Sequence, residues 1–154
     1  MKTCIYPGSF DPITVGHLDI IVRASKIFDR VTVCIMINSK KDSYFSLDTR
    51  EALIKKSVKK FDNVDVDVYE GLLTSYAKEK SCKVIIRGLR NSLDFESELT
   101  MANMNRNLYG DIESVFFMTD PSHSYVSSSM VREIIRFGGD VSDFVPSEIK
   151  NEMK

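Results

Sequence analysis

Val31-Thr32-Val33-Cys34-Ile35-Met36-Ile37 is an unbroken run of apolar and β-branched side chains. A strand with one wet face alternates apolar with polar residues. A run without alternation is covered on both faces, as an inner strand of a parallel sheet is. Toward the N-terminus, residues 2–6 read as a second short buried strand. Residues 7–14 are rich in turn formers, and a helix follows over 15–28. Leu18, Ile21, Val22, Ser25 and Phe28 recur there at spacings of three and four, and Thr14 stands at the N-cap. Toward the C-terminus, the polar loop 38–45 carries Lys40 and Lys41. Ser46 then caps a helix over 47–60 that turns Leu53, Ile54 and Val58 inward.

The alternation of strand and helix continues along the chain. Val64, Val66 and Val68 alternate with Asp65, Asp67 and Tyr69, the pattern of a half-exposed strand near a sheet edge. A short helix is expected over 72–80, a strand over 83–86, a long helix over 93–108 and a buried strand over 114–118. A helix over 127–137 stops at Gly138-Gly139, and Pro146 suits the first turn of a last helix. The expectation is one α/β domain over residues 1–154, a Rossmann-like parallel five-stranded sheet with helices on both faces. In such sheets ligands bind beyond the C-terminal ends of the strands. The segments to read for function are therefore 7–17, 38–45, 70–73, 87–91 and 119–129.

Bulk properties narrow the choice of function. With 154 residues, 43% apolar and 28% charged, the chain suits one soluble domain with a proper core. A net charge of −1 supplies no basic excess for broad nucleic-acid binding. Cys4, Cys34 and Cys82 are odd in number and lack CxxC spacing, which fits reduced structural thiols in a cytoplasmic protein. Pro7 and Gly8 interrupt the first apolar run too early for a signal peptide. No apolar stretch reaches the roughly 20 residues needed to cross a bilayer. The chain has no GxxxxGK[ST] loop or GxGxxG fingerprint, which argues against a P-loop kinase and a Rossmann dehydrogenase, and no GxSxG elbow or HExxH zinc pair; spacing leaves a Ser-His-Asp hydrolase open, and no motif proposes one.

The strand-end segments instead hold groups suited to phosphate. Gly8 allows close backbone approach, and Gly16-His17 falls in the first turn of a helix, where free N–H groups face an anion. His17 suits either a phosphate oxygen or the helix cap. Arg87 and Arg90 flank Gly88 after a strand. They are either surface charges or guanidinium forks for phosphate oxygens. Ser127, Ser128 and Ser129 open a later helix, a second anion cradle or a simple cap. Arg132 and Arg136 lie farther along it and are left out of the candidate set.

Several motifs then agree with one family. The stretch from Tyr6 to His17 (YPGSFDPITVGH) resembles the first signature of the bacterial phosphopantetheine adenylyltransferases, nucleotidyltransferases that carry a (T/H)xGH motif. Ile86-Arg87-Gly88-Leu89-Arg90 resembles their IRGLR segment. Asp94-Phe95-Glu96 with Glu98 resembles DFExE, and Met104-Asn105-Arg106 resembles MNR. Ser127-Ser128-Ser129 resembles the SSS signature, and Gly139-Asp140-Val141 with Phe144-Val145-Pro146 resembles the tail. The resemblance spans the chain in order and spacing.

It implies transfer of AMP from ATP to 4′-phosphopantetheine, with His17, Lys41, Arg90 and Ser128 as the catalytic group. ATP is expected at Ser9, Phe10, His17, Gly88, Leu89, Arg90, Glu98, His123, Ser124, Tyr125, Val126, Ser127, Ser128 and Ser129. Phosphopantetheine is expected at Ser9, Lys41, Leu73 and Arg87, with Lys40 one residue from the lysine position. The resemblance also implies Mg²⁺ arriving with ATP, feedback inhibition by coenzyme A and a homohexamer. No nucleic-acid or membrane partner is expected. The chain departs from the family pattern at His123, often tryptophan, at Ser97, often tyrosine, and at Asp42-Ser43-Tyr44, a loop more often containing proline or glycine. Serine at position 9 replaces the usual threonine and keeps its hydroxyl.

Overall fold

The computed structural model describes residues 1–38, 40 and 42–153. Strands β1 (Thr3–Gly8), β2 (Arg30–Ile37), β3 (Val64–Glu70), β4 (Val84–Leu89) and β5 (Glu113–Met118) alternate with helices α1 (Val15–Ser25), α2 (Leu47–Val58), α3 (Leu73–Glu79), α4 (Ser92–Leu108) and α5 (Ser128–Arg136). Short 3₁₀ segments span Pro121–His123 and Ser147–Met153. All pairings are parallel, in the order β3-β2-β1-β4-β5. The expected five-stranded Rossmann-like α/β architecture is the one observed.

Strand alternation sorts the core into two layers. Cys4 and Tyr6 of β1, Val31, Val33 and Ile35 of β2, and Ile86 of β4 pack with α1, α2, α5 and the C-terminal segment. Ile5, Cys34 and Ile85 face the other way, onto Tyr76 and Ala77 of α3. The unbroken 31–37 run is thereby explained, since Val33, Cys34 and Ile35 are all fully buried. All three cysteines are buried and free of disulfides.

Several element boundaries differ from the sequence reading. β1 continues through Pro7 and Gly8, paired with Cys34 and Ile35. β4 continues through Arg87-Gly88-Leu89, paired with Phe116, Phe117 and Met118, so Arg87 and Gly88 lie within the strand. α1 ends at Ser25 and α2 at Val58. The buried stripe of α1 is Gly16, Ile20, Ile21 and Ala24. Leu18 and Phe28 pack at its margin. β5 is a half-exposed edge strand, because no further strand covers it. The chain ends in 3₁₀ geometry rather than an α-helix.

One residue shows how the layers lock. A Cβ at Gly88 would overlap Ile20 Cδ1, so glycine lets α1 lie directly on β4. That contact brings the start of α1 beside the end of β4. The strand order also reverses at this place, with β1 and β4 neighbours and their helices leaving to opposite layers. A crevice forms at such a switch point.

Candidate functional site

The crevice is a cleft of about 250 Å³. Its floor comes from β1 and the turn after it, through Tyr6, Pro7, Gly8, Ser9 and Phe10. One side is the start of α1, with Thr14, Gly16, His17 and Ile20. The opposite side is β4 and α4, with Arg87, Gly88, Arg90, Asp94 and Glu98. The loop before α5 closes it, with Thr119, His123, Val126, Ser127 and Ser128.

His17 is both a cap and a cleft residue. Thr14 is the N-cap of α1, and its hydroxyl accepts from the His17 N–H at 3.3 Å. The Thr14 backbone N–H donates back to His17 Nδ1 at 3.1 Å. A backbone amide can only donate, so Nδ1 accepts and the neutral ring carries its proton on Nε2. Burial, followed by the nearby charges of Arg87 and Arg90, pushes the imidazole pKa down to about 4. At neutral pH the ring is an uncharged donor through Nε2–H. Phe10 holds it from the side, edge-on at 5.0 Å between ring centroids.

The two arginines are fixed by carboxylates from α4. Arg87 donates from Nε and Nη2 to Glu98 at 2.8 and 2.6 Å, and from Nη1 to the Pro7 carbonyl at 2.7 Å. Burial weighs against the Arg87 charge, and the Glu98 carboxylate outweighs it and holds the guanidinium protonated. Arg90 donates from Nε to Asp94 at 3.0 Å and from Nη1 to the Val126 carbonyl at 3.4 Å, tying the end of β4 to the loop before α5. Burial favours the neutral Asp94 carboxyl. The Arg90 side chain and backbone N–H outweigh it, so Asp94 lies below the usual carboxylate range. Each guanidinium has five N–H groups, so both keep unused donors.

The serine cluster divides its work. Ser127 caps α5, its hydroxyl accepting from the Met130 N–H at 3.2 Å. Ser128 donates to the Pro12 carbonyl at 2.7 Å. Ser127 and Ser128 bring the start of α5 to the cleft wall, where a helix N-terminus suits an anion, and two hydroxyls set its position. Arg132, left out of the candidate set, donates to the Asp11 carbonyl at 2.8 Å, one residue past the floor residue Phe10.

A second cavity of about 400 Å³ opens beside the first, and its walls are more apolar. Leu72 and Leu73 of the α3 start, Met36 of β2, Ile85 of β4, and Met101, Ala102, Met104 and Leu108 of α4 line it, with Asn38, Thr74 and Asn105 as polar points. Pro7, Gly8, Ser9, Arg87 and Glu98 line both cavities. A polar cleft and an apolar one thus meet across a single wall that carries an arginine and a serine.

Most candidate residues come together here. Phe10, His17, Gly88, Arg90, His123, Val126, Ser127 and Ser128 line the first cleft, Leu73 the second, and Ser9, Arg87 and Glu98 both. Leu89, Ser124, Tyr125 and Ser129 line neither. Leu89 turns into the protein interior, and Tyr125 is largely exposed, edge-on to Phe144. Lys41 lies outside the described residues. Lys40 is exposed, its backbone N–H held by Asn38 Oδ1 at 3.0 Å. Sequence reasoning missed Tyr6, Ile20 and Thr119 as cleft walls, and Met36 and Thr74 in the second cavity. For Tyr6 the two-residue alternation with Gly8 was the available signal. For Thr119 the signal was its place in the strand-end segment 119–129; for Thr74, one residue past segment 70–73, there was none, because its placement depends on neighbouring elements.

Among the described residues no three His, Cys, Asp or Glu side chains gather as a metal site, and no helix is long and apolar enough to cross a membrane.

Known proteins match at two levels. Residues 5–134 match the model of the cytidylyltransferase-like family. Over 153 residues the chain is 54% identical to a phosphopantetheine adenylyltransferase of Alkaliphilus metalliredigens, covering 99% of this chain and 98% of that protein. It is 52% identical to one from Clostridium novyi, covering 97% and 92%. In three dimensions it resembles a bifunctional NMN adenylyltransferase/ADP ribose pyrophosphatase from Francisella tularensis, with TM-score 0.76, 13% identity, and coverage of 99% of this chain and 48% of that one. That protein has also been crystallised with AMP and a Mn ion. A lipopolysaccharide core biosynthesis protein from Thermoplasma volcanium aligns with TM-score 0.55 and 20% identity, over 78% of this chain and 97% of that one. The structural likenesses speak for the fold, and the full-length sequence matches speak for kinship. This chain belongs to the cytidylyltransferase-like family and, within it, to the phosphopantetheine adenylyltransferases.

Proposed function

We infer that the chain, acting as one domain over residues 1–154, transfers AMP from ATP to 4′-phosphopantetheine, yielding dephospho-coenzyme A and pyrophosphate. The observation that carries this reading is the wall shared by the two cavities. The polar cleft suits a nucleotide triphosphate. The apolar cavity suits a flexible pantetheine arm, whose phosphate end would reach Arg87 and Ser9 at the junction. The full-length kinship supports the same substrate pair.

The chemistry needs no covalent enzyme intermediate. A phosphate oxygen of 4′-phosphopantetheine attacks the α-phosphorus of ATP, a new P–O bond forms, and the bond to pyrophosphate breaks on the opposite side. The nucleophile is already an anion, so the protein's task is alignment and charge stabilisation. His17 Nε2–H, Arg90 and the α5 start with Ser128 serve the α-phosphate and leaving group. Arg87, Ser9 and Lys41 hold the acceptor phosphate, with Leu73 along the arm. Gly88, Glu98 and the segment from His123 through Ser129 border the nucleotide. Leu89, Ser124, Tyr125 and Ser129 would act there through their backbone or from the rim. Mg²⁺ arriving with ATP would offset the charge of the triphosphate. Asp94 and Glu98 are engaged by arginines, a donor set that fits a cation held chiefly by phosphate oxygens and water.

We further propose a cytoplasmic homohexamer, restrained by coenzyme A, with no nucleic-acid or membrane partner. Light scattering of the purified protein and titration with coenzyme A check the first two properties. The central experiment measures pyrophosphate release from MgATP with 4′-phosphopantetheine, and in parallel with nicotinamide mononucleotide, FMN and glycerol 3-phosphate. Release with 4′-phosphopantetheine alone is expected. Turnover with a different acceptor, or nucleotide binding without any release, would replace this reading.

A further inference from the structure

Arg50 lies on α2, outside both cavities, yet it is only 7% exposed. Its Nη1 donates to the Ser9 carbonyl at 2.9 Å and its Nη2 to Ser43 Oγ at 3.4 Å. Its Nε is buried without a partner, and among the described residues no carboxylate pairs with it. A buried guanidinium with neutral partners and an orphaned N–H is a poor stabiliser of a fold. Its contribution is then the geometry it imposes.

That geometry bears on the shared wall. The Ser9 carbonyl belongs to the peptide that leads into Phe10, whose φ is 45°, in the left-handed region. A non-glycine residue keeps that conformation only where its surroundings impose it. Asp11, 6% exposed, adds a reciprocal tie, its carboxylate accepting from the Tyr44 and Phe45 N–H groups at 2.7 and 2.8 Å. The turn after β1 and the end of the 38–45 loop are therefore stitched in both directions.

We propose that Arg50 is a positioning residue for adenylyl transfer: it fixes the Ser9–Phe10 peptide at the junction of the two cavities and couples it to the loop that follows β2. The inference rests on the function proposed above. Ser9 borders both substrates, so a displaced Ser9 turn misaligns one against the other. A misplacement of about 1 Å costs on the order of 100-fold in rate.

The test compares wild type, Arg50→Lys, Arg50→Gln and Ser43→Ala. It measures steady-state pyrophosphate release with each substrate varied, together with amide hydrogen exchange at Phe10, Tyr44 and Phe45. The expected result is a fall of roughly tenfold or more in kcat for Arg50→Gln. Its KM for 4′-phosphopantetheine rises more than its KM for ATP, and exchange speeds up at those amides but not in the β2 core. Arg50→Lys, which keeps one donor to Ser9, recovers part of both losses. Ser43→Ala raises the acceptor KM alone. Equal kinetics in folded variants would overturn the proposal. So would a loss of activity that tracks only the folded fraction, with both KM values unchanged. Should wild type itself release no pyrophosphate with this acceptor, the functional reading fails. The exchange pattern then still decides whether Arg50 holds the turn.

Discussion

At the scale of single residues, the cleft depends on an imidazole that is kept neutral. His17 sits beside two arginines in a place where a cationic ring would be repelled, and the Thr14 N–H fixes its tautomer. A neutral Nε2–H can donate to developing charge without first losing or gaining a proton. Nitrogen NMR of the free protein should show His17 protonated on Nε2 at pH 7, with a midpoint near 4 rather than its ordinary 6.5. The sign for stability follows from linkage. Between about 6.5 and 4 the unfolded chain binds a proton at this ring that the folded chain refuses. The ring's contribution is complete above pH 6.5 and lost as the pH falls toward 4. His17→Gln should flatten that part of the Tm-against-pH curve, and an unchanged slope would argue against a depressed imidazole. For catalysis, His17→Ala should lower kcat by about 10²- to 10³-fold, the usual effect of removing one transition-state donor. Circular dichroism should report an intact fold. Wild-type turnover in that folded variant would remove His17 from the mechanism.

At the scale of elements, the cleft exists because α1 sits unusually close to β4. Gly88 makes that possible, and Ile20 fills the space a side chain would need. Gly88→Ala should destabilise the protein by about 1–3 kcal/mol through overpacking. In an Ile20→Val background, where the clashing Cδ1 is gone, the same change should cost less. The comparison is a double-mutant cycle read by urea denaturation, and strictly additive values would show that the contact is not responsible. The pairing of β4 with β5 sets a limit on sequence reading. Residues 83–86 carry the apolar signal of a strand. The continuation through Arg87, Gly88 and Leu89 is fixed by pairing with Phe116, Phe117 and Met118, which no local pattern announces.

At the scale of the whole molecule, two cavities share a wall that neither layer of helices forms alone. Arg87 comes from β4, its partner Glu98 from α4, and its third acceptor, the Pro7 carbonyl, from β1. The guanidinium is thus held between the two cavities. Arg87→Lys keeps the charge and loses the fork, and it should raise the KM for 4′-phosphopantetheine about tenfold with a smaller change for ATP. A defect confined to ATP would place Arg87 on the other side of the wall. The arrangement was only partly legible beforehand. Arg87 and Arg90 announced themselves as strand-end cations. Their commitment to Glu98 and Asp94 depends on how α4 returns over the sheet.

The chain order of strands and helices, the parallel sheet and the kinship of the motifs follow from the sequence, because side-chain periodicity and short-range turn chemistry are local properties. The capping role of Thr14 and the inner position of residues 31–37 belong to the same class. Tertiary structure alone decided which face of α1 is buried, that β5 is an edge, and that Leu89, Ser124, Tyr125 and Ser129 stand off the cleft wall. It alone also joined Arg50 to Ser9 across 41 residues of chain. Such contacts are set by the closure of long loops and by the packing of distant elements, and no local stretch of sequence encodes either.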